Sequence, residues 1–110
     1  MPEPLHTRSC NSQEGCPAFT PEQVQAYISE VPDWFSDDDT TTIARTFHFN
    51  DFQDAIVFVN KVAGLAEKQR HHPNIFVHNF SKVTVSLTTR SIGGLSDNDF
   101  VMAAKIDNIL

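Results

Sequence analysis

The stretch KVTVSLTTR, Lys82 to Arg90, alternates cleanly up to Thr88. Val83, Val85 and Leu87 fall on one side, and Thr84, Ser86, Thr88 and Arg90 on the other. A period of two means a strand with one face buried and the other in contact with water or a polar neighbour. Such a strand belongs to an antiparallel sheet covered on a single face. This feature restricts the chain's architecture more than any other.

The flanking segments supply the cover. Thr20-Pro21-Glu22-Gln23 opens a helix: Thr20 caps, Pro21 suits the first position, and Gln23 reaches back to the cap. Val24, Tyr27 and Ile28 form its apolar face, and Pro32 ends it. DWFSDDD and TIARTFHF read as two strands joined by an acidic turn, with Ile43, Phe47 and Phe49 on one face. Asn50 then caps a long helix, with Gln53 three residues on. Phe52, Ala55, Ile56, Val59, Ala63 and Ala66 follow the helical period, and Phe58, Val62 and Leu65 widen the stripe. NIFVHNF forms a strand before the alternating one. Ser96-Asp97-Asn98-Asp99 is a capping box opening a last helix with Phe100, Met102, Ala103, Ile106 and Ile109. The order is helix, strand, strand, helix, strand, strand, helix. It predicts an α+β domain, a four-stranded antiparallel sheet with helices packed on one face.

At 110 residues the chain is expected to be a single domain. Residues 1–19 are polar and lack periodicity, and read as a flexible N-terminal arm before a domain of residues 20–110. The two cysteines, Cys10 and Cys16, lie in that arm. With His6 they fall short of the four ligands of a closed zinc site, so two thiols in a mobile segment is the plainer reading. The net charge of −6, with eight scattered basic residues, argues against nucleic-acid binding and against a polybasic membrane anchor. No apolar run reaches the roughly 20 residues of a membrane span, and no secretory signal is visible, so a cytoplasmic location is expected.

Three of the five histidines lie within AEKQRHHPNIFVHNF, Ala66 to Phe80. Pro73 disfavours the α conformation at His72 and so stops the long helix near His71. Glu67 and His71 are four residues apart, which on a continuous helix places them on one face. His72 then turns elsewhere. Two imidazoles with a carboxylate near one of them suit proton transfer near neutral pH. A solvated helix stop would contain the same residues. A metal site is not expected, because the i, i+4 histidine spacing of zinc-binding helices is absent. His48 and His78 read as structural.

The stretch EKQRHHPNIFVHNFSKVTVSLTTRSIGGLSDNDFVMAAKID resembles the pterin-4a-carbinolamine dehydratases. The pattern it shares is Glu67, then His71-His72-Pro73, then Phe80 after six spacers, and Asp99. VPDWF and FHFNDFQDAIVFVNKVAGLAE extend the resemblance to about residues 20–110. One position departs: the third active-site histidine of the family is Arg90 here. Arginine stays protonated below about pH 12, so it can hold or polarise an oxygen but does not readily serve as a general base.

The resemblance implies a hydro-lyase without metal or cofactor. The family removes water from a 4a-hydroxy-tetrahydropterin and yields the quinonoid dihydropterin, in the recycling of tetrahydrobiopterin. Carried onto this sequence, His71 is the leading acid/base, tuned by Glu67, and His72 binds the pterin and shares in proton transfer. Arg90 is a binding or electrostatic group, and Asp99 supports the site or simply caps its helix. Thr88 and Thr89 contact the pterin, and Phe80 flanks its ring or packs in the core. Arg90 predicts an enzyme that is slowed or biased towards one C4a epimer. The alternative is a weakened member that acts as an assembly or dimerisation factor on a protein partner. The resemblance also implies a homo-oligomer, dimer or tetramer, in keeping with the need to cover an exposed sheet edge.

Overall fold

The computed structural model describes residues 4–110. Helix α1 spans Pro21–Ile28, and Thr20 and Gln23 form its capping box as read from the sequence. Strands β1 (Phe35–Ser36) and β2 (Ile43–His48) follow, then helix α2 (Phe52–Gln69), strands β3 (Asn74–His78) and β4 (Lys82–Leu87), and helix α3 (Asp97–Asn108). Single 3-10 turns lie at Leu5–Thr7 and Arg90–Ile92. The sheet order is β1-β2-β4-β3, and every pair is antiparallel. This is the α+β architecture that the alternation at β4 demands.

The register explains the core. Phe47 and Val83 pair across β2 and β4, Ile43 pairs with Leu87, and Val77 pairs with Val83 across β3 and β4. These side chains share the face that the helices cover. Val83, Val85, Leu87, Ile43 and Phe47 are all buried. Each contributes about 1.5–3 kcal/mol through burial. On the opposite face Thr46 and Thr84 exchange a hydroxyl hydrogen bond of 2.8 Å, and Phe76 stacks on His78 in the open.

Two details of α2 differ from the sequence reading. Its cap is Asp51, which accepts from the Asp54 N–H at 2.7 Å, one residue later than Asn50. The Phe49 N–H is tied to the Ser81 carbonyl, so the chain stays extended that much longer. The buried line is Ala55, Phe58, Val62 and Ala66, while Phe52 is exposed. The helix is apolar over more than one stripe, and periodicity alone does not say which stripe meets the sheet.

The segment before α1 lies along the domain. Leu5 is buried, and Lys105 on α3 donates to the His6 carbonyl. The Cys10 N–H donates to Gln69 at the end of α2, and Asn11 and Asn98 exchange two hydrogen bonds. These contacts use backbone groups and one apolar side chain, which leave no periodic trace in the sequence. Trp34 is buried with its Nε1–H on Asp107, which also accepts from Arg45 at 2.7 Å. Among the described residues no helix is long and apolar enough to cross a membrane.

Candidate active site

The site begins where α2 stops. Arg70 adopts the left-handed conformation, φ 56° and ψ 39°, and the His71 N–H still reaches back to the Ala66 carbonyl. Pro73 then forces extended backbone into β3. The left-handed residue turns the chain one position before His71, so His71 is not on the helix face of Glu67. The expected Glu67–His71 pair is therefore absent. Glu67 Oε2 instead lies 2.5 Å from His72 Nε2, and both side chains are largely exposed. An exposed pair of this kind contributes at most about 1 kcal/mol.

His71 has a different carboxylate. Its Nε2 lies 2.6 Å from Oδ1 of Asp99 on α3, with the His71 side chain 11% exposed and that of Asp99 fully buried. Asp99 Oδ2 accepts from the Thr89 hydroxyl at 2.8 Å and from the Ser96 N–H at 3.0 Å. The second bond is the helix cap expected of Asp99. One carboxylate thus caps α3 and holds His71. The helix-cap reading of Asp99 is met by Oδ2, while Oδ1 faces His71.

A cavity of about 270 Å³ opens beside this pair, lined by Asn11, Ser12, Arg70, His71, Thr89 and Asn98 among others. The arm therefore supplies one wall. Arg90 lies at the start of the 3-10 turn that follows Thr89, and its Nη2 donates to Asn74 Oδ1 at 2.9 Å. Asn74 is the first residue of β3, two positions after His72. The turn at Arg90 is closed by Gly93, φ 69°, and by the pairing of Thr89 with Gly94. A Cβ on Gly94 would meet the Ala18 Cβ at 2.8 Å, so only glycine lets the arm pack this close.

Of the eight residues singled out in the sequence, His71, Asp99 and Thr89 are joined by direct hydrogen bonds, and Glu67, His72 and Arg90 stand at the same end of the sheet. Thr88 is turned away to the β1–β2 loop, where its hydroxyl donates to the Thr41 carbonyl at 2.6 Å. Phe80 is elsewhere altogether. It sits exposed in the turn between β3 and β4, at the end opposite Asn74, with φ 50°. Across a five-residue strand that separation is about 17 Å, so Phe80 flanks no ring bound beside His71 of its own chain. It is not a core residue either. Asn11, Ser96 and Asn98 were not read as site residues. In the sequence Ser96 reads only as a cap, and nothing local marks the arm.

Comparison with known proteins bears on the family and the fold. The family model described as "Pterin 4 alpha carbinolamine dehydratase" matches residues 17–109. Relatives from Hydrogenovibrio crunogenus and Aromatoleum aromaticum, both named "Putative pterin-4-alpha-carbinolamine dehydratase", are 38% and 40% identical. The first match covers 96% of this chain and 94% of the relative, the second 99% and 97%. The crystal structure of a transcriptional coactivator/pterin dehydratase from Brucella melitensis superposes with a TM-score of 0.77 at 33% identity, over 84% of this chain and 97% of that one. A pterin dehydratase-like protein described as a RuBisCO assembly factor in the alpha-carboxysome shares the fold, with a TM-score of 0.60 at 20% identity, over 70% of this chain and 88% of that one.

Proposed function

The chain belongs to the pterin 4 alpha carbinolamine dehydratase family, and from that premise we propose that it dehydrates a 4a-hydroxy-tetrahydropterin by acid–base catalysis centred on His71. The observation that carries this reading is the His71–Asp99 pair, whose histidine lines the cavity. A buried carboxylate orients the ring and leaves its other nitrogen to act.

The reaction breaks the C4a–O bond and forms C4a=N5. One proton leaves N5 and one arrives on the departing hydroxyl, which becomes water. His71 exchanges these protons with the substrate, because an imidazole does both near pH 7. His72 is exposed and held only by Glu67, so it serves as the adaptable group that binds the pterin and shares in proton transfer. Arg90 has one N–H on Asn74 and others free to hold a substrate oxygen. Its guanidinium acts electrostatically and not as a general base.

The cavity lies among polar groups, which suits a ring with several donors and acceptors. The chain is also proposed to work as a homo-oligomer, because β3 is an edge strand with one side of its ladder unpaired. The direct test is dehydration of freshly generated 4a-hydroxy-tetrahydropterin, followed optically against the buffer rate. Acceleration supports the reading, and a rate equal to buffer rejects it.

One observation favours a second reading. Arg90 occupies a position where the family carries an acid–base histidine, so the chain could serve as a protein-binding assembly factor. The open sheet face, with Phe35 and Phe76 exposed, offers a surface for such a role. Pterin binding without turnover would favour it.

A further inference from the structure

We propose that Thr89 is a positioning residue: acting through Asp99, it holds the His71 ring in its Nε2–H form and leaves Nδ1 as the atom that exchanges protons. The kinetic part of this proposal rests on the dehydratase reading. The structural part does not.

The family resemblance implies that Thr89 contacts the pterin through its backbone or hydroxyl group. Its side chain has no hydrogen left for such a contact. The residue is 5% exposed, and its hydroxyl donates to Asp99 Oδ2. A hydroxyl has one hydrogen. The 2.7 Å contact with Ser96 Oγ must then run the other way, with Ser96 donating. The result is a directed chain from Ser96 to Thr89 to Asp99.

The donors at its end fix which Asp99 oxygen faces His71. Asp99 Oδ2 takes two donors, the Thr89 hydroxyl and the Ser96 N–H. Oδ1 is left facing His71 Nε2 at 2.6 Å. An ionised carboxylate only accepts, so Nε2 carries the hydrogen in this pair. A neutral imidazole has one N–H, and Nδ1 therefore keeps its lone pair. No described residue bonds to Nδ1. The backbone fixes the source of the relay as well. The Thr89 N–H donates to the Gly94 carbonyl at 2.9 Å, and the tight approach of Gly94 to Ala18 closes that turn.

The test uses the full-length protein with 15N-labelled histidine. Wild type is expected to show His71 as Nε2–H in its neutral form. Thr89→Val keeps the shape and removes the donor. With one of the two donors that pin Oδ2 gone, the Asp99 carboxylate is free to turn from His71, so the variant is expected to admit the Nδ1–H tautomer and to lower kcat about tenfold, with KM changed less than about twofold. That lies below the roughly 10²–10⁴-fold loss of an acid/base group itself. Thr89→Ser is expected to restore both readouts. Asp99→Asn supplies a second route if Thr89→Val does not fold. The donors at Oδ2 select the amide oxygen, which turns the NH₂ towards His71 and inverts the tautomer to Nδ1–H.

Wild-type His71 in the Nδ1–H form overturns the proposal. So does Thr89→Val with an unchanged tautomer, or Asp99→Asn that keeps Nε2–H. If the tautomers behave as expected but no form dehydrates the pterin, the positioning role stands and the dehydratase reading fails.

Discussion

His71 Nε2 lies 2.6 Å from Asp99 Oδ1, across 28 residues of sequence. The nearer acid, Glu67, is paired with His72 instead. This division ranks the two carboxylates. Asp99 is enclosed and fixed by two further donors, whereas Glu67 is in water. Asp99→Asn should lower the dehydration rate by about 10²-fold, because it disturbs the acid/base group directly. Glu67→Gln should stay within about fivefold of wild type, since an exposed pair is worth at most about 1 kcal/mol. Steady-state rates of both variants on the same substrate preparation check the ranking. Equal losses would show that burial does not decide which carboxylate matters.

Arg90 offers charge and donors but no ready acid/base function. Arg90→His should speed dehydration along whichever route lacks an acid/base group, by up to about 10²-fold on that C4a epimer. The other epimer should change little. Stopped-flow rates on separated epimers measure this. Unchanged rates on both would mean that position 90 takes no part in proton transfer.

Phe80 tests the opposite claim. It sits at the hairpin tip in a left-handed conformation that costs a non-glycine residue about 1–2 kcal/mol. Phe80→Gly should leave the rate within about twofold, and should not lower the melting temperature. A large loss of activity in a folded, correctly assembled variant would place Phe80 in a site, one that another copy completes.

Cys10 is predicted to be inert. Burial pushes its thiol up to about 12, and the nearby Asp99 and Asp97 charges push the same way, against Lys105. A thiol reagent at pH 8 should label Cys16, which is exposed, and spare Cys10. Below pH 9 the thiol is neutral in both states and contributes no pH dependence. Between 9 and about 12 the unfolded chain ionises and the folded one does not, so stability falls as pH rises. Cys10→Ser should flatten this fall in denaturant titrations at pH 8 and pH 10.5.

The fold was legible because period and punctuation agree. Val83, Val85 and Leu87 alternate, Thr20-Pro21 and Ser96 mark helix starts, and Pro73 marks a stop. These are local signals, and the structure keeps them. The identities of the site residues were legible in part, but their partners were not. The left-handed Arg70 separates His71 from Glu67, and no residue type demands that conformation there. Asp99 reaches His71 only through the packing of α3, and no spacing rule predicts a contact of that kind. The arm is the extreme case. It meets the domain through backbone groups and a few scattered side chains such as Leu5, Cys10 and Phe19, and forms a wall of the cavity without any periodic pattern of its own.

The most direct test of the account is a single-turnover measurement on freshly generated 4a-hydroxy-tetrahydropterin, with wild type and His71→Ala side by side. Wild type should dehydrate the substrate well above the buffer rate, and His71→Ala should lose about 10²–10⁴-fold of that acceleration. A folded His71→Ala protein that turns over as fast as wild type would contradict the assignment of His71 as the centre of the site.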